Sequence, residues 1–157
     1  MTLLDAKQYD ESRDRRRSRM ILAIVILAVI CGWIAYHLRN YPERHASDKF
    51  FATLKNKDFE GAYGLWLNDP AWKQHPKKYS NYSYADFYRD WGPGGEWGVI
   101  NSYAVDCSLG SGSGVIVQVT VNDRTQKSFL WVSKADKSLS FSPNEVTCGN
   151  WFGWLTE

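Results

Sequence analysis

Hydrophobic positions along this chain change period twice. From Met20 to Tyr36 the stretch MILAIVILAVICGWIAY contains no charged residue. Its seventeen residues extend about 26 Å at helical rise, the short end of what crosses a bilayer core. Trp33 and Tyr36 stand at the far end, where amphipathic rings favour the membrane interface. This pattern predicts a transmembrane helix over residues 20–38. Apolar residues then recur at helical spacing. Ala46, Phe50, Phe51 and Leu54 form one stripe and predict a helix from Arg44 to Lys55. Pro42 interrupts a run straight out of the membrane, so a joint is expected over residues 39–45, centred on Asn40 to Glu43. Phe59, Ala62, Tyr63 and Trp66 give a second stripe, with Asp58 placed as its N-cap. Gly61 and Gly64 weaken that helix intrinsically, and close approach of another backbone is one reason to keep them. The polar, proline-containing stretch NDPAWKQHPKKYSNYS reads as loop. Ser83 and Asp86 have capping-box spacing before a third stripe of Tyr84, Phe87, Tyr88 and Trp91.

From Trp97 the period falls to two. Trp97, Val99, Tyr103, Val105, Cys107 and Leu109 share one parity, and GSGSG then turns the chain. Val115, Val117, Val119 and Val121 alternate with Ile116, Gln118 and Thr120 in a second strand. KSFLWVS and a shorter LSFS follow as third and fourth strands, and the aromatic tail NEVTCGNWFGWLTE is expected to pack back on the domain. Helices first, then an antiparallel meander, is an α+β arrangement.

YADFYRDWGPGGEWGVI, with three glycines and a proline near its centre, invites a nucleotide-binding reading. A dinucleotide fingerprint needs G-x-G-x-x-G between a strand and a helix. Counting from Gly92 and Gly94, the third glycine position holds Trp97, and the order of elements is inverted. A P-loop lacks its Gly-Lys-Ser/Thr. Gly92 reads as a helix stop with Pro93 beyond it.

Charge adds orientation. Across 157 residues Lys and Arg number 19 against 17 Asp and Glu, with none of the broad basic face a nucleic-acid binder shows. Five of the seven residues from Arg13 to Arg19 are Arg, and this places residues 1–19 as a solvated cytoplasmic tail and residues 46–157 as an exported domain. The localisation expected is the plasma (inner) membrane, single-pass, with the C-terminal domain periplasmic or extracellular. A cleaved signal peptide lacks a small-x-small site in GWIAYHLRN, and a lipidated Cys31 lacks a small residue before it, since Ile30 stands there. Cys31 is then an apolar filler. Cys107 and Cys148 fall in the exported part, where a disulfide is permitted; closing that loop adds about 4 kcal/mol on the chain-entropy account.

FFATLKNKDFEGAYGLW, Phe50 to Trp66, resembles the nuclear transport factor 2-like superfamily, many of whose members have a long first helix, a turn ending in Asp, then an aromatic residue and an Ala-Tyr pair. The resemblance implies a cone-like domain of three helices packed on a curved, mainly antiparallel four-stranded sheet. In topology the chain is also similar to bacterial single-pass proteins with such an outer domain, including assembly factors of type IV secretion.

Enzymes of that superfamily, such as ketosteroid isomerases and polyketide cyclases, use an acid as base and tyrosine as oxyanion donor inside the cone. The corresponding residues here are Asp86 or Asp90 with Tyr63, Tyr84 or Tyr88, but Asp86 is explained as a first-turn acid and the tyrosines lie on core stripes. His37, His45 and His75 lack metal-ligand spacing. No catalytic residue, metal or cofactor is assigned. Eight Trp, nine Tyr and seven Phe serve mainly as core, with a second reading as a recognition surface for sugar or protein. That surface takes Trp72, Tyr79 and Tyr82 from the loop, Trp151, Phe152 and Trp154 from the tail, and a rim of Lys73, Lys77 and Lys78. Tyr63, Trp66, Trp72, Tyr79, Tyr82, Asp86 and Trp91 are the candidate binding residues. Asn81 carries an N-x-S sequon. The expectation is a non-catalytic binding or assembly module whose partners are the bilayer, through residues 20–38, and other envelope proteins. An isomerase-like enzyme and a structural subunit of a membrane complex are the alternatives.

Overall fold

The computed structural model of the chain describes residues 11–148, in two units divided between Arg39 and Asn40. The first holds α1, Glu11–Leu38. Its described side chains from Arg15 to Tyr36 are exposed, and it is long and apolar enough to cross a membrane. The helix starts earlier than the apolar run, so the arginine cluster is helical, and its described side chains are exposed. Arginine ranks near the top in helix propensity, and an established apolar helix is extended at little cost.

The second unit contains α2 (Tyr41–Lys55), α3 (Phe59–Leu67), a single 3-10 turn at Trp72–Gln74, and α4 (Tyr84–Trp91). Four strands follow: β1 (Tyr103–Ser111), β2 (Gly114–Val121), β3 (Lys127–Ser133) and β4 (Leu139–Phe141). They form one antiparallel sheet in the order β1-β2-β3-β4. This is the α+β architecture expected, three helices and a four-stranded meander.

Helix ends obey local chemistry. Pro42 sits in the first turn of α2 instead of breaking it, because the amide that proline lacks has no helical partner there. The joint shrinks to Arg39 and Asn40. Asp58 caps α3 by accepting from the Gly61 amide at 2.9 Å. Ser83 and Asp86 form the capping box: Asp86 Oδ2 accepts from the Ser83 amide at 3.1 Å, and Ser83 Oγ accepts from the Asp86 amide at 3.3 Å. At the other end of α4 the chain folds tightly back. A Cβ on Gly92 would lie 2.3 Å from the Tyr88 carbonyl oxygen, and one on Gly95 would lie 2.1 Å from that of Asp90. These glycines allow backbone to touch backbone, and their place in the sequence needs no phosphate to explain it.

The first strand begins later than its period suggests. Residues 97–102 are held by one side chain from across the hairpin. Asn122 Oδ1 accepts from the Asn101 and Ser102 amides at 2.8 and 3.2 Å, and its Nδ2 donates to the Val99 carbonyl at 2.9 Å. A bulge between Val105 and Cys107 then breaks the parity. Tyr103 and Val105 pack against the helical core, whereas Cys107 and Leu109 pair with Gln118 and Ile116 on the opposite face. The extra residue, Asp106, accepts from Gln118 Nε2 at 3.0 Å and Thr120 Oγ1 at 2.7 Å.

Val115, Val117, Val119 and Val121 are 0 % exposed beneath Phe50, Phe51, Trp66, Phe87 and Trp91 of the helices. Cys107 and Cys148 form a disulfide, Cα to Cα 5.8 Å. Since β4 and β1 are opposite edges, the segment Ser142–Cys148 traverses three strand spacings, about 14 Å. It ends on the face turned away from the helices.

One charge pair links the beginning of α2 to the β3–β4 turn. Glu43, 4 % exposed, accepts from Lys137 Nζ at 2.8 Å across 94 residues. Breaking a fully buried pair costs about 3–5 kcal/mol, and the Lys137 side chain is 35 % exposed. We therefore expect Lys137→Met to destabilise the full chain by about 2 kcal/mol. The double variant with Glu43→Gln should recover much of this, as read from denaturant midpoints. Equal loss in both variants would contradict the pairing.

Candidate functional site

Three of the aromatic candidates are interior. Tyr63, Trp66 and Trp91 are 1, 4 and 1 % exposed. The Trp66 ring meets Phe50, Phe87, Trp91 and Phe141 with centroids 5.0–6.0 Å apart. Tyr63 donates its hydroxyl to the Tyr82 carbonyl at 2.6 Å. Trp91 Nε1 is buried and has no hydrogen-bond partner among the described residues. Together these rings fill the space between helices and sheet.

The acids that would serve an enzyme have structural partners. Asp86 completes the capping box and pairs with Arg89 Nη1 at 3.1 Å. The hydrogen bonds from Ser83 hold its carboxyl below the usual carboxylate range. Asp90 accepts from the Tyr82 hydroxyl at 3.0 Å. Burial first, then Asp90, push the Tyr82 phenol well above its ordinary value, so it remains a donor. Tyr84 stacks on Trp72, and Tyr88 is 45 % exposed.

The loop between α3 and α4 supplies a cluster that spacing alone did not mark. Asp69 Oδ2 accepts from the Tyr79 hydroxyl at 2.7 Å and lies 2.9 Å from His75 Nδ1. Those two bonds, Tyr79 before His75, hold the Asp69 carboxyl low. Lys78 Nζ lies 4.9 Å from the centroid of Tyr79. The hint was Asn68-Asp69-Pro70, an Asx-turn signature, realised as Asp69 Oδ1 accepting from the Ala71 amide at 2.9 Å. Asn81 is exposed. Trp151, Phe152 and Trp154 lie outside the described residues.

What the surface offers is a line of hollows along α3. One, of about 310 Å³, has Gly61 and Gly64 as its floor and Trp72, Pro70 and Leu65 as walls. A second, about 380 Å³, continues past Trp72 to Asp58 and Gln74. A third, about 400 Å³, lies between α2, the end of α3 and the β3–β4 turn, and shares Leu65 and Asn68 with the first. Asn68 holds this junction by donating Nδ2 to the Asp136 carbonyl from a left-handed backbone, φ 48°. Of the two helix glycines, the clash lies at Gly61, and a Cβ on Gly64 would make ordinary contacts. A Cβ on Gly64 would stand 3.4 Å from both the Asp69 carbonyl oxygen and Trp72 Cδ1, and one on Gly61 would strike the capping carboxylate of Asp58. Trp72 is not a free platform: it stacks on Tyr84 at 5.3 Å, meets Tyr63 edge-on at 4.8 Å, and has Lys73 Nζ 5.6 Å from its ring centroid. Lys73 in turn pairs with Glu60 at 2.5 Å.

Among the described residues no group of three or more His, Cys, Asp or Glu is placed to hold a metal ion. No family model, curated protein or solved structure matches the chain.

Asp69, Asp86 and Asp136 all have carboxyls lowered by hydrogen bonds. A carboxylate depressed on folding adds stability above its unfolded value, about pH 4, and that stability is lost as pH falls through the lower folded value. The denaturant midpoint of the full chain should hold steady near neutrality and drop below about pH 4. Asp69→Asn should flatten the drop. A midpoint with no acid dependence would contradict these bonds.

Proposed function

We propose that the chain is a membrane-anchored, extracytoplasmic binding or assembly module without catalytic activity, held in the plasma (inner) membrane by α1. The observation that carries this reading is the filled interior: Trp66, Trp91 and Tyr63 occupy the space a substrate would need, which leaves the hollows along α3 as the recognition surface. The apolar α1 preceded by five arginines supports anchoring with the N-terminus in the cytoplasm. The Cys107–Cys148 disulfide supports an oxidising compartment for the second unit. Three helices followed by a four-stranded meander support the nuclear transport factor 2-like reading of the domain. Envelope proteins are the partners this module would engage.

Leu65 is shared by two of the hollows. A photo-reactive residue replacing Leu65 in the full chain, in native membranes, should give discrete adducts. The same residue at exposed Ser140 on β4 should give few. Identical adduct patterns from the two positions would overturn the reading.

A further inference from the structure

The third hollow has a chemistry of its own. Tyr41, His45 and Lys49 recur every fourth residue of α2 and so form one stripe along it. The Tyr41 and His45 rings stack with centroids 5.9 Å apart and planes 5° from parallel. The floor is apolar, from Ala46, Leu65 and Leu139, and Lys137 enters from the opposite wall. The Lys137 ammonium is fixed by Glu43 Oε1 at 2.8 Å and by the Lys134 carbonyl at 2.6 Å. An ammonium has three donors, so one is left for a ligand. Lys49 has no carboxylate partner among the described residues. Glu43 points inward, its side chain 5 % exposed, so the surface of this hollow presents cations above an apolar floor.

Chain connectivity fixes how far this stripe lies from the end of α1. Leu38 closes α1 and Tyr41 opens α2, a reach of at most about 11 Å. From Tyr41 to Lys49 the helix rises about 12 Å. The polar layer of one leaflet is about 5–7 Å deep. With α1 across the bilayer, the chain therefore tethers Tyr41 within about 11 Å and Lys49 within about 23 Å of the end of α1, and the stripe meets the headgroup layer when the domain turns this face toward the leaflet.

We infer that this hollow seats the phosphate headgroup of an anionic phospholipid from the leaflet on the domain's side. The phosphate oxygens accept from Lys49 and from the open donor of Lys137, His45 adds a third polar contact, and the glycerol and first methylenes lie on Ala46, Leu65 and Leu139. The inference rests on α1 spanning the bilayer.

The test uses the full chain in nanodiscs of phosphatidylcholine with phosphatidylglycerol. An alkaline wash comes first: a chain that washes off refutes the anchor and the lipid site together. For a chain that stays, native mass spectrometry after release from the disc counts the lipids retained. Phosphatidylglycerol should be retained several-fold over phosphatidylcholine. Lys49→Glu and Ala46→Phe, one altering charge and the other filling the floor, should each abolish that preference, whereas Lys77→Glu on the loop should keep it. Thermal unfolding that matches the parent chain certifies each variant's fold. Excess inorganic phosphate should not displace the lipid. Equal retention of the two lipids, a preference that survives both Lys49→Glu and Ala46→Phe, or displacement by phosphate alone would each overturn the lipid assignment while leaving the anchor standing.

Discussion

The ring of Phe50 is where the helices of the domain meet. It contacts Phe51 on its own helix, Trp66 on α3, and Phe87 and Trp91 on α4, with centroids 5.1–6.1 Å apart. The valines of β2 lie in the same cluster. Such rings bury large areas and prefer edge or tilted contacts, and three of these four pairs are edge-on, with the Trp66 pair tilted. Replacing any one ring by a smaller side chain would open a void that close-packed neighbours cannot fill. Other features follow from this contact. Trp91 joins it edge-on, and α4 must stop and reverse at Gly92, where only glycine clears the Tyr88 carbonyl. The interior is committed to packing.

Much of this architecture was legible because it is local. Asp58 and Ser83 lie within three residues of the amides they cap, and their stripes report which face is buried. The glycines after Trp91 were rightly read as punctuation. What escaped depends on partners distant in sequence. Pairing of Val105 with Val119 but of Cys107 with Gln118 is a one-residue slip that alternation cannot reveal. Asn122 replaces strand pairing for residues 97–102 from about twenty positions away. Glu43 and Lys137 are 94 residues apart, and neither carries a motif.

The candidate site divides the same way. Tyr63, Trp66 and Trp91 lie on helical stripes that predict core, and they are buried, in keeping with that reading. Asp86 was correctly explained by its capping geometry. Trp72 and Tyr79 lie in the surface loop, where Trp72 stacks on Tyr84 and lines two of the hollows and Tyr79 bonds to Asp69. The stripe of Tyr41, His45 and Lys49 becomes visible only once Pro42 is seen inside the first helical turn.

A membrane-anchored module of this kind requires the domain to lie on the oxidising side of the membrane, and thiol chemistry tests this directly. In intact cells, a membrane-impermeant maleimide should leave Cys107 and Cys148 of the full chain unlabelled until an impermeant reductant is added outside. Both should then label without permeabilisation. Labelling without reductant, or only after the membrane is opened, would contradict the account.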